Sequence, residues 1–307
     1  MGLDSDGFLN LLKPPGMTSH DVVDYVRDLL PGIKVGHGGT LDPSAAGVLP
    51  LLLGKATKLS SFLLHSKKVY RAEMCLGITT DTGDSKGSIL ARRSPPFPEI
   101  SAVDMVIQSF IGEIEQIPPM YSAIKHKGKK LYQYARQGEE IKRSPRKAVI
   151  DYLKIVERID SQRILFEVKC SGGTYIRTLC SQIGYTLGCG GHMSFLLRKR
   201  AGNFDLAEAI TLEELKSGKP EDYLLPLDFI FQDIEHLKLG KENIARLLHG
   251  KTIPFELIEI DDRRKPFFQA DNTEIPVYNT ENEFVLLAKL KKDKEKRLFL
   301  KSCKVFK

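Results

Sequence analysis

The sequence has few of the features that mark disulfide-bonded, metal-binding or membrane proteins. Its five cysteines are odd in number and form no Cys-x-x-Cys pair, so neither a disulfide framework nor a zinc ribbon is favoured. The seven histidines show no metal-binding spacing on a predicted helix. No apolar run approaches the ~18 residues of a membrane helix, and the N-terminus lacks the basic and apolar regions of a secretory signal. We therefore expect a cytoplasmic protein without a metal site.

Positive charge is concentrated in two segments. The chain carries a net charge of +7, yet residues 118–150 alone hold nine Lys or Arg against two Glu, and residues 286–307 hold nine against two acids. The remainder is therefore net negative. Two basic patches on an acidic body are typical of a protein that binds a polyanion, because contacts with phosphates release counterions. Either segment taken alone is equally compatible with a solvated lysine-rich face.

Hydrophobic periodicity predicts helices and strands without a regular βαβ order, which favours an α+β fold. The 307 residues exceed the ~250–300 that one hydrophobic core usually serves, so we expect two domains, with residues 220–226 as a candidate boundary region. The predicted strands are 8–12, 48–53, 69–76, 164–170, 253–258, 284–290 and 298–301, and the predicted helices are 19–30, 100–110, 174–187 and 242–249. The part beyond the boundary therefore reads as a small β-rich domain.

The stretch GHGGTLDPSAAGVLP, residues 36–50, crowds glycines before a single acid, Asp42. An Asp followed by Pro43 is typical of a helix N-cap with proline at the first helical position. Alternatively, the glycines let another backbone come close, and the carboxylate of Asp42 stands exposed as a nucleophile or base. The residues alone leave both interpretations open.

Two further residues invite a functional interpretation. If Thr174 caps the helix that follows it, Arg177 lies in the first turn, where the helix dipole disfavours a cation, so an ion pair with a buried carboxylate would explain it. A solvent-facing arginine is the alternative. Tyr70 reads as a core residue of a strand, but its basic neighbours also suit an aromatic face on which a flipped base stacks.

Five motifs then allow the chain to be compared with a known family. They are KPPGMTSHDVV (13–23), VGHGGTLDPSAAGVLPLLLGKATK (35–58), KKVYRAEMCLG (67–77), QIPPMYSAIKHKGKKLYQYARQG (116–138) and CSGGTYIRTLCSQIG (170–184). In this order they resemble the bacterial tRNA pseudouridine-55 synthase family, TruB, through residues 8–205. The last 70 or so residues resemble the family's PUA-type RNA-binding domain only in position, size and basicity.

The resemblance implies a role for individual residues. Asp42 matches the catalytic aspartate that attacks a uridine flipped out of the tRNA T-loop, and Arg177 matches the arginine paired with it. Tyr70 matches the catalytic tyrosine that stacks on the flipped base and helps with the late proton removal, and His37 matches the histidine that occupies the space the base leaves. Either Leu196 or Leu197 matches a pocket leucine. The other residues expected to contact RNA are Lys13, Lys67, Tyr121, Lys125, Lys127, Lys129, Lys130, Arg136, Arg143, Arg146 and Arg198.

The same resemblance predicts the domain organisation and the partners. A mainly antiparallel catalytic domain of pseudouridine synthase type spans residues 1–232, with an RNA-clamping insertion at about 118–147, and a PUA-like domain spans 233–307. The expected partner is the T-arm of tRNA, with no cofactor, no membrane and no obligatory protein partner, so a monomer is expected. The alternatives are a tRNA-folding chaperone, whose activity would not need Asp42, and a tRNA-guanine transglycosylase, whose cysteine-rich zinc site this sequence lacks.

Overall fold

The computed structural model describes residues 6–260, 273–293 and 295–306, and the chain divides into two compact units, Met1–Leu224 and Leu225–Lys307. The division lies within the stretch 220–226, and the domain boundary at 232 stays a prediction. Two lysines of the second basic segment, Lys294 and Lys307, lie outside the described residues. Among the described residues, no helix is long and apolar enough to cross a membrane.

The first unit is built mainly of strands. They are β1 (Gly7–Lys13), β2 (Val35–His37), β3 (Ala46–Leu53), β4 (Lys68–Leu76), β5 (Ile78–Thr80), β6 (Ile89–Arg92), β7 (Gly112–Gln116), β8 (Lys125–His126), β9 (Lys129–Lys130), β10 (Arg146–Arg158), β11 (Arg163–Cys170), β12 (Gly191–Ala201) and β13 (Phe204–Asp205). Its helices are α1 (Ser19–Leu29), α2 (Ser60–His65), α3 (Ile100–Ser109), α4 (Leu131–Ala135), α5 (Ile176–Thr186) and α6 (Leu212–Ser217). Short 3-10 turns occur at Gly54–Leu59, Leu206–Glu208 and Pro220–Tyr223.

One large sheet organises this unit. Its strand order is β1-β3-β12-β4-β11-β10-β7, with β2 on β3 and β13 on β12, and its neighbours are antiparallel except for the parallel pair β12 and β3. In β4, alternate residues from Tyr70 to Leu76 are buried and join one core with α3 and α5, represented by Val103 and Ile183. A mixed, mainly antiparallel α+β fold is therefore confirmed.

The basic insertion leaves the sheet between two paired strands. Gln116 at the end of β7 is the register partner of Arg146 at the start of β10. The intervening chain forms the β8–β9 hairpin and the short helix α4. At the hairpin tip, Lys127 and Gly128 have φ values of +47° and +85°, as a tight two-residue hairpin turn requires. The β8–β9 hairpin and its lysines therefore extend from a point where β7 and β10 are paired with each other.

Several sequence-based predictions differ from the structure at element ends. The helix predicted to start at residue 19 has Thr18 as its N-cap, and the N-cap of α5 is Tyr175 rather than Thr174. The long strand β10 was not predicted, because its exposed charged residues and two register shifts obscure the alternation.

The second unit is a small β-rich body with its own core. Its elements are β14 (Leu237–Lys238), α7 (Lys241–Leu248), β15 (Ile253–Pro254), β16 (Glu274–Tyr278), β17 (Phe284–Lys292) and β18 (Leu298–Val305), with 3-10 turns at Phe229–Phe231 and Phe255–Leu257. The sheet order is β14-β16-β17-β18-β15. The strand predicted over 253–258 is wrong in extent, since it ends at Pro254 and a 3-10 turn follows. The β17–β18 hairpin of this unit exposes Lys291, Lys292 and Lys301.

Candidate active site

Asp42 begins a tight turn between β2 and β3. The Ala45 N–H donates to the Asp42 carbonyl at 3.0 Å, and β3 follows at Ala46, so the interpretation of Asp42 as a helix N-cap is wrong. Pro43 at the second position is typical of such a turn, because its fixed φ suits that position. On the other side, the Leu41 N–H donates to Ser19 Oγ at 2.9 Å. The turn therefore holds the carboxylate on a short, rigid segment.

A buried lysine, Lys13, holds this turn in place through hydrogen bonds. Lys13 is fully buried, and its Nζ donates to the carbonyls of Pro14 at 2.8 Å, Met17 at 2.7 Å and Pro43 at 3.2 Å. The Gly16 N–H donates to the same Pro43 carbonyl at 2.8 Å. Burial lowers the pKa of Lys13 to about 8, and the nearby Asp42 opposes that shift. The prediction that Lys13 contacts RNA is therefore corrected, because its donors are already used inside the protein.

The glycines of this segment accommodate the protein's own atoms. A Cβ on Gly38 would lie 2.7 Å from Leu63 Cδ1, and a Cβ on Gly47 would lie 2.3 Å from the Arg198 carbonyl oxygen. Gly39 and Gly47 also have φ values of +134° and +118°, which side chains rarely adopt. The glycines thus allow close internal packing around the Asp42 turn, rather than only leaving space for another strand beside it.

Arg177 forms a two-pronged ion pair with Asp42. Its Nε lies 2.9 Å from Asp42 Oδ2, and its Nη2 donates to Oδ1 at 3.1 Å. The arginine side chain is 6% exposed and the aspartate side chain 29% exposed, so the pair is shielded but open on the aspartate side. Burial raises the pKa of Asp42, and the charge of Arg177 opposes that rise. The ion pair expected from the position of Arg177 in the first turn of α5 is present.

The rest of the Arg177 guanidinium is held by groups from two other segments. It donates to the carbonyls of Thr82 at 3.2 Å and Tyr121 at 2.8 Å. Its Nη1 also lies 3.7 Å from Asp84 Oδ2, and Asp84 itself is buried. The sequence prediction missed Asp84, although the acidic turn TDTGDSKG that contains it stands out in the sequence. A buried arginine between two carboxylates and two carbonyls has one well-defined orientation.

Tyr70 lies on the site's face of the sheet, opposite Arg198 of β12. Arg198 is 1% exposed, interacts electrostatically with the Tyr70 phenol, and donates to the carbonyls of Val48 at 2.7 Å and Gly39 at 3.1 Å. Burial raises the pKa of Tyr70, so its phenol is neutral at physiological pH. The prediction that Arg198 contacts RNA is also corrected, because this buried side chain instead ties Tyr70 to the glycine-rich segment.

His37 and the pocket leucine complete the surroundings. The Gly39 N–H donates to His37 Nδ1 at 3.3 Å, and burial lowers the pKa of the imidazole, which is therefore neutral at physiological pH. Leu196 belongs to the same buried cluster as Leu41 and Tyr70, whereas Leu197 alternates to the opposite face of the sheet. Of the two candidates, only Leu196 therefore lies in this cluster, and its role as a pocket leucine stays a prediction.

Most of the remaining predicted RNA contacts are exposed on the insertion, but Tyr121 reaches the centre, where its carbonyl accepts from Arg177. Lys125, Lys127, Lys129, Lys130, Arg136 and Arg146 are exposed, while Tyr121 and Arg143 are half-buried. Lys67 is also exposed but donates to Asp151 at 2.8 Å. Two cations lie over the ring of Tyr132: Lys130 Nζ is 5.6 Å and Arg136 Cζ is 5.4 Å from the ring centroid. The exposed cations of the insertion are accessible to phosphates, and their contact with RNA stays a prediction.

Comparison with known proteins identifies the class first. Two adjoining family models match the chain, "TruB family pseudouridylate synthase (N terminal domain)" over residues 27–176 and "tRNA pseudouridylate synthase B C-terminal domain" over residues 177–232. Both describe pseudouridylate synthases, enzymes that isomerise uridine in RNA, and the mainly antiparallel fold with its shielded Asp42–Arg177 pair is in keeping with that class.

Individual relatives then identify the family. The chain is 52% identical to the tRNA pseudouridine synthase B of Alkaliphilus oremlandii over 91% of each chain. It is 42% identical to that of Caldanaerobacter subterraneus subsp. tengcongensis over 96% of this chain and 99% of the relative. The chain belongs to the TruB family of tRNA pseudouridine synthases.

Solved structures extend the likeness to the whole chain. The structure described as "Crystal Structure of a Cbf5-Nop10-Gar1 Complex" matches with a TM-score of 0.75 and 30% identity, covering 99% of this chain and 85% of that chain. A second, of an H/ACA RNP bound to a substrate RNA containing 2'-deoxyuridine, has a TM-score of 0.73 and 27% identity over 99% of this chain and 86% of that chain.

Proposed function

We propose that this protein converts the uridine at position 55, in the T-loop of tRNA, to pseudouridine, with Asp42 as the nucleophile. The observation that carries the proposal is the shielded ion pair between Asp42 and Arg177, at 2.9 and 3.1 Å. A carboxylate needs such a partner to stay ionised where burial raises its pKa. The tight turn and Lys13 hold that carboxylate in place before any RNA arrives.

The reaction rearranges one glycosidic bond and needs no other reactant. A base inside a folded loop is out of reach, so the target uridine must first be flipped into the pocket. Asp42 then forms a covalent bond to the flipped nucleotide, at the base or at the sugar, and the bond between N1 and C1′ breaks. The uracil turns, C5 bonds to C1′, and the proton leaves C5 while N1 gains one. The bond to Asp42 breaks again, which restores the carboxylate.

The surrounding residues suit the individual steps. Tyr70, with its neutral phenol, offers a ring on which the uracil stacks. The neutral imidazole of His37 is placed on the same glycine-rich segment, where it fills the space that the flipped base leaves in the loop. Arg177 balances the carboxylate before the covalent bond forms and again after it breaks. Stacking on an aromatic ring contributes about 1–3 kcal/mol per base, which offsets part of the cost of flipping.

The exposed insertion supplies the long-range attraction for tRNA. Lys125, Lys127, Lys129 and Lys130 project from one hairpin whose base is closed by β7 and β10. Each phosphate they neutralise releases counterions, so binding should depend strongly on salt. This surface also suits a chaperone that folds tRNA without modifying it, and the two activities separate at Asp42, which only modification needs.

The experiment that tests the proposal uses defined RNA substrates. The protein is incubated with a T-arm stem-loop and with the same stem-loop carrying cytidine in place of the target uridine. Pseudouridine is located by a chemical primer-extension stop. The proposal expects one stop at position 55 in the first RNA and none in the second. No stop in the first RNA, or a stop elsewhere, would refute it.

A further inference from the structure

Helix α5 has no capping side chain of its own, and a buried glutamine from β7 serves instead. Its N-cap residue is Tyr175, whose side chain makes no capping hydrogen bond. Gln116 Oε1 accepts from the Tyr175 N–H at 2.9 Å, and Gln116 Nε2 donates to the Tyr175 carbonyl at 3.2 Å. In a capping box, a Glu or Gln in the first turn bonds the N-cap N–H. Here Gln116 makes the equivalent bond from a neighbouring strand.

This carboxamide acts on the peptide units that start the helix. The Tyr175 carbonyl also accepts the helical hydrogen bond from Leu179 at 3.0 Å, so Gln116 contributes a second donor to the same oxygen. Gln116 itself is 2% exposed, which leaves water little access to either bond. A buried amide that hydrogen-bonds both the backbone N–H and the backbone carbonyl of one residue fixes that residue's position and orientation closely.

Arg177 follows Tyr175 by two residues and is sensitive to any movement of this turn. Its guanidinium is bonded at once to Asp42, to the Thr82 carbonyl and to the Tyr121 carbonyl. These acceptors come from separate segments, so a displaced helix start cannot keep all of them. A misplacement of ~1 Å in a catalytic arrangement is enough to cost about 100-fold in rate.

We propose that Gln116 is a positioning residue for the isomerisation. It sets the first turn of α5 and thereby aligns the Arg177 guanidinium with the Asp42 carboxylate, without touching the RNA. The inference rests on the proposed function of Asp42 and Arg177. Gln116 is also the last residue of β7 before the insertion, but its pairing with Arg146 there runs through the backbone and does not depend on its side chain.

The chain offers a matched control for a merely structural role. Gln182, on the same helix, donates from Nε2 to the carbonyl of Glu115 on the same strand, at 2.8 Å. It ties α5 to β7 as Gln116 does, but more than a turn away from Arg177. If Gln116 only held helix to strand, loss of either amide would have a similar effect on activity.

The first test compares Gln116→Leu with Gln182→Leu on the T-arm stem-loop. Single-turnover rates, RNA dissociation constants and melting temperatures are measured for both variants and for the unaltered protein. For Gln116→Leu we expect a rate about 10- to 100-fold lower, with RNA affinity within about threefold, because alignment and not binding is lost. For Gln182→Leu we expect a rate within about twofold. Equal rates in the two variants, or a loss confined to RNA affinity, would overturn the proposal.

A second variant, Gln116→Glu, adds a readout that lost stability alone would not produce. A protonated carboxyl group can donate to the Tyr175 carbonyl and accept from its N–H, as the amide does, but an ionised one only accepts. The rate relative to the unaltered protein should therefore fall as pH rises, while the ratio for Gln116→Leu stays flat. A flat ratio for Gln116→Glu would also overturn the proposal. Turnover by the unaltered protein in the same assay separates this failure from a failure of the proposed function.

Discussion

The replacement Arg177→Met tests the electrostatic part of the mechanism in most detail. It removes the charge and both hydrogen bonds to Asp42, at 2.9 and 3.1 Å, from a side chain that is 6% exposed. Removing one partner of a buried pair usually costs about 3–5 kcal/mol, because the other charge is left uncompensated. Asp42 is 29% exposed, so water takes over part of this role, and we expect a loss near the lower end, about 3 kcal/mol.

The same replacement should change the pH dependence in a defined direction. Burial already raises the pKa of Asp42, Arg177 opposes the rise, and Asp84 adds to it. Without Arg177 the pKa rises further, so a higher pH is needed to ionise the nucleophile, and the acid limb of the rate profile moves to higher pH. When the pKa of an acid is higher in the folded state than in the unfolded state, the free energy of unfolding falls as pH rises from the unfolded-state pKa to the folded-state pKa. The stability deficit of the variant should therefore be largest at neutral pH and shrink as the solution is acidified.

The assay combines denaturant unfolding at several pH values with single-turnover rates on the T-arm stem-loop. Arg163→Met is the matched control, since it breaks an exposed arginine–aspartate pair with Asp160, 2.7 Å apart, and should change neither rate nor stability appreciably. An Arg177→Met variant with an unshifted acid limb, or with a stability deficit independent of pH, would refute the idea that Arg177 keeps Asp42 ionised.

Two further replacements test the assignment of cations to the protein interior or to RNA. Lys13→Met should lower the melting temperature and the rate, because three buried carbonyls, including that of Pro43, lose their Lys13 donor. The salt dependence of tRNA binding should stay unchanged, and a flatter salt dependence would show that Lys13 does contact RNA. Neutralising Lys127, Lys129 and Lys130 together should weaken binding and flatten the log-log salt slope by up to ~1 per lost phosphate contact, with folding intact. An unchanged slope in a binding titration would remove these lysines from the interface.

The parts of the fold that sequence predicts well are those with regular burial. The alternation through β4, from Tyr70 to Leu76, and the apolar run of β3 appear in the structure with their ends shifted by a residue or two. Strand β10 was missed because its burial is irregular where two register shifts occur. Its pairing with β7 joins segments on either side of the insertion, such as Gln116 and Arg146, which periodicity cannot reveal.

The site was predictable where one residue's position implied a partner. A cation in the first turn of a helix called for a buried acid, and Arg177 does pair with Asp42. Lys13 and Arg198 were misassigned because a basic residue in a sequence does not show whether its donors meet phosphates or the protein's own carbonyls. Asp84 was missed for a related reason, since only the folded chain brings it to Arg177.

The most direct test of the central claim is the replacement Asp42→Asn. The amide is close to the carboxylate in size, so the turn and most of the contacts with tRNA should remain, but the amide is not a nucleophile. We expect tRNA affinity within a few fold of the unaltered protein and no detectable pseudouridine at position 55 in a single-turnover assay. Pseudouridine formation at a rate near that of the unaltered protein would contradict the assignment of Asp42 as the nucleophile.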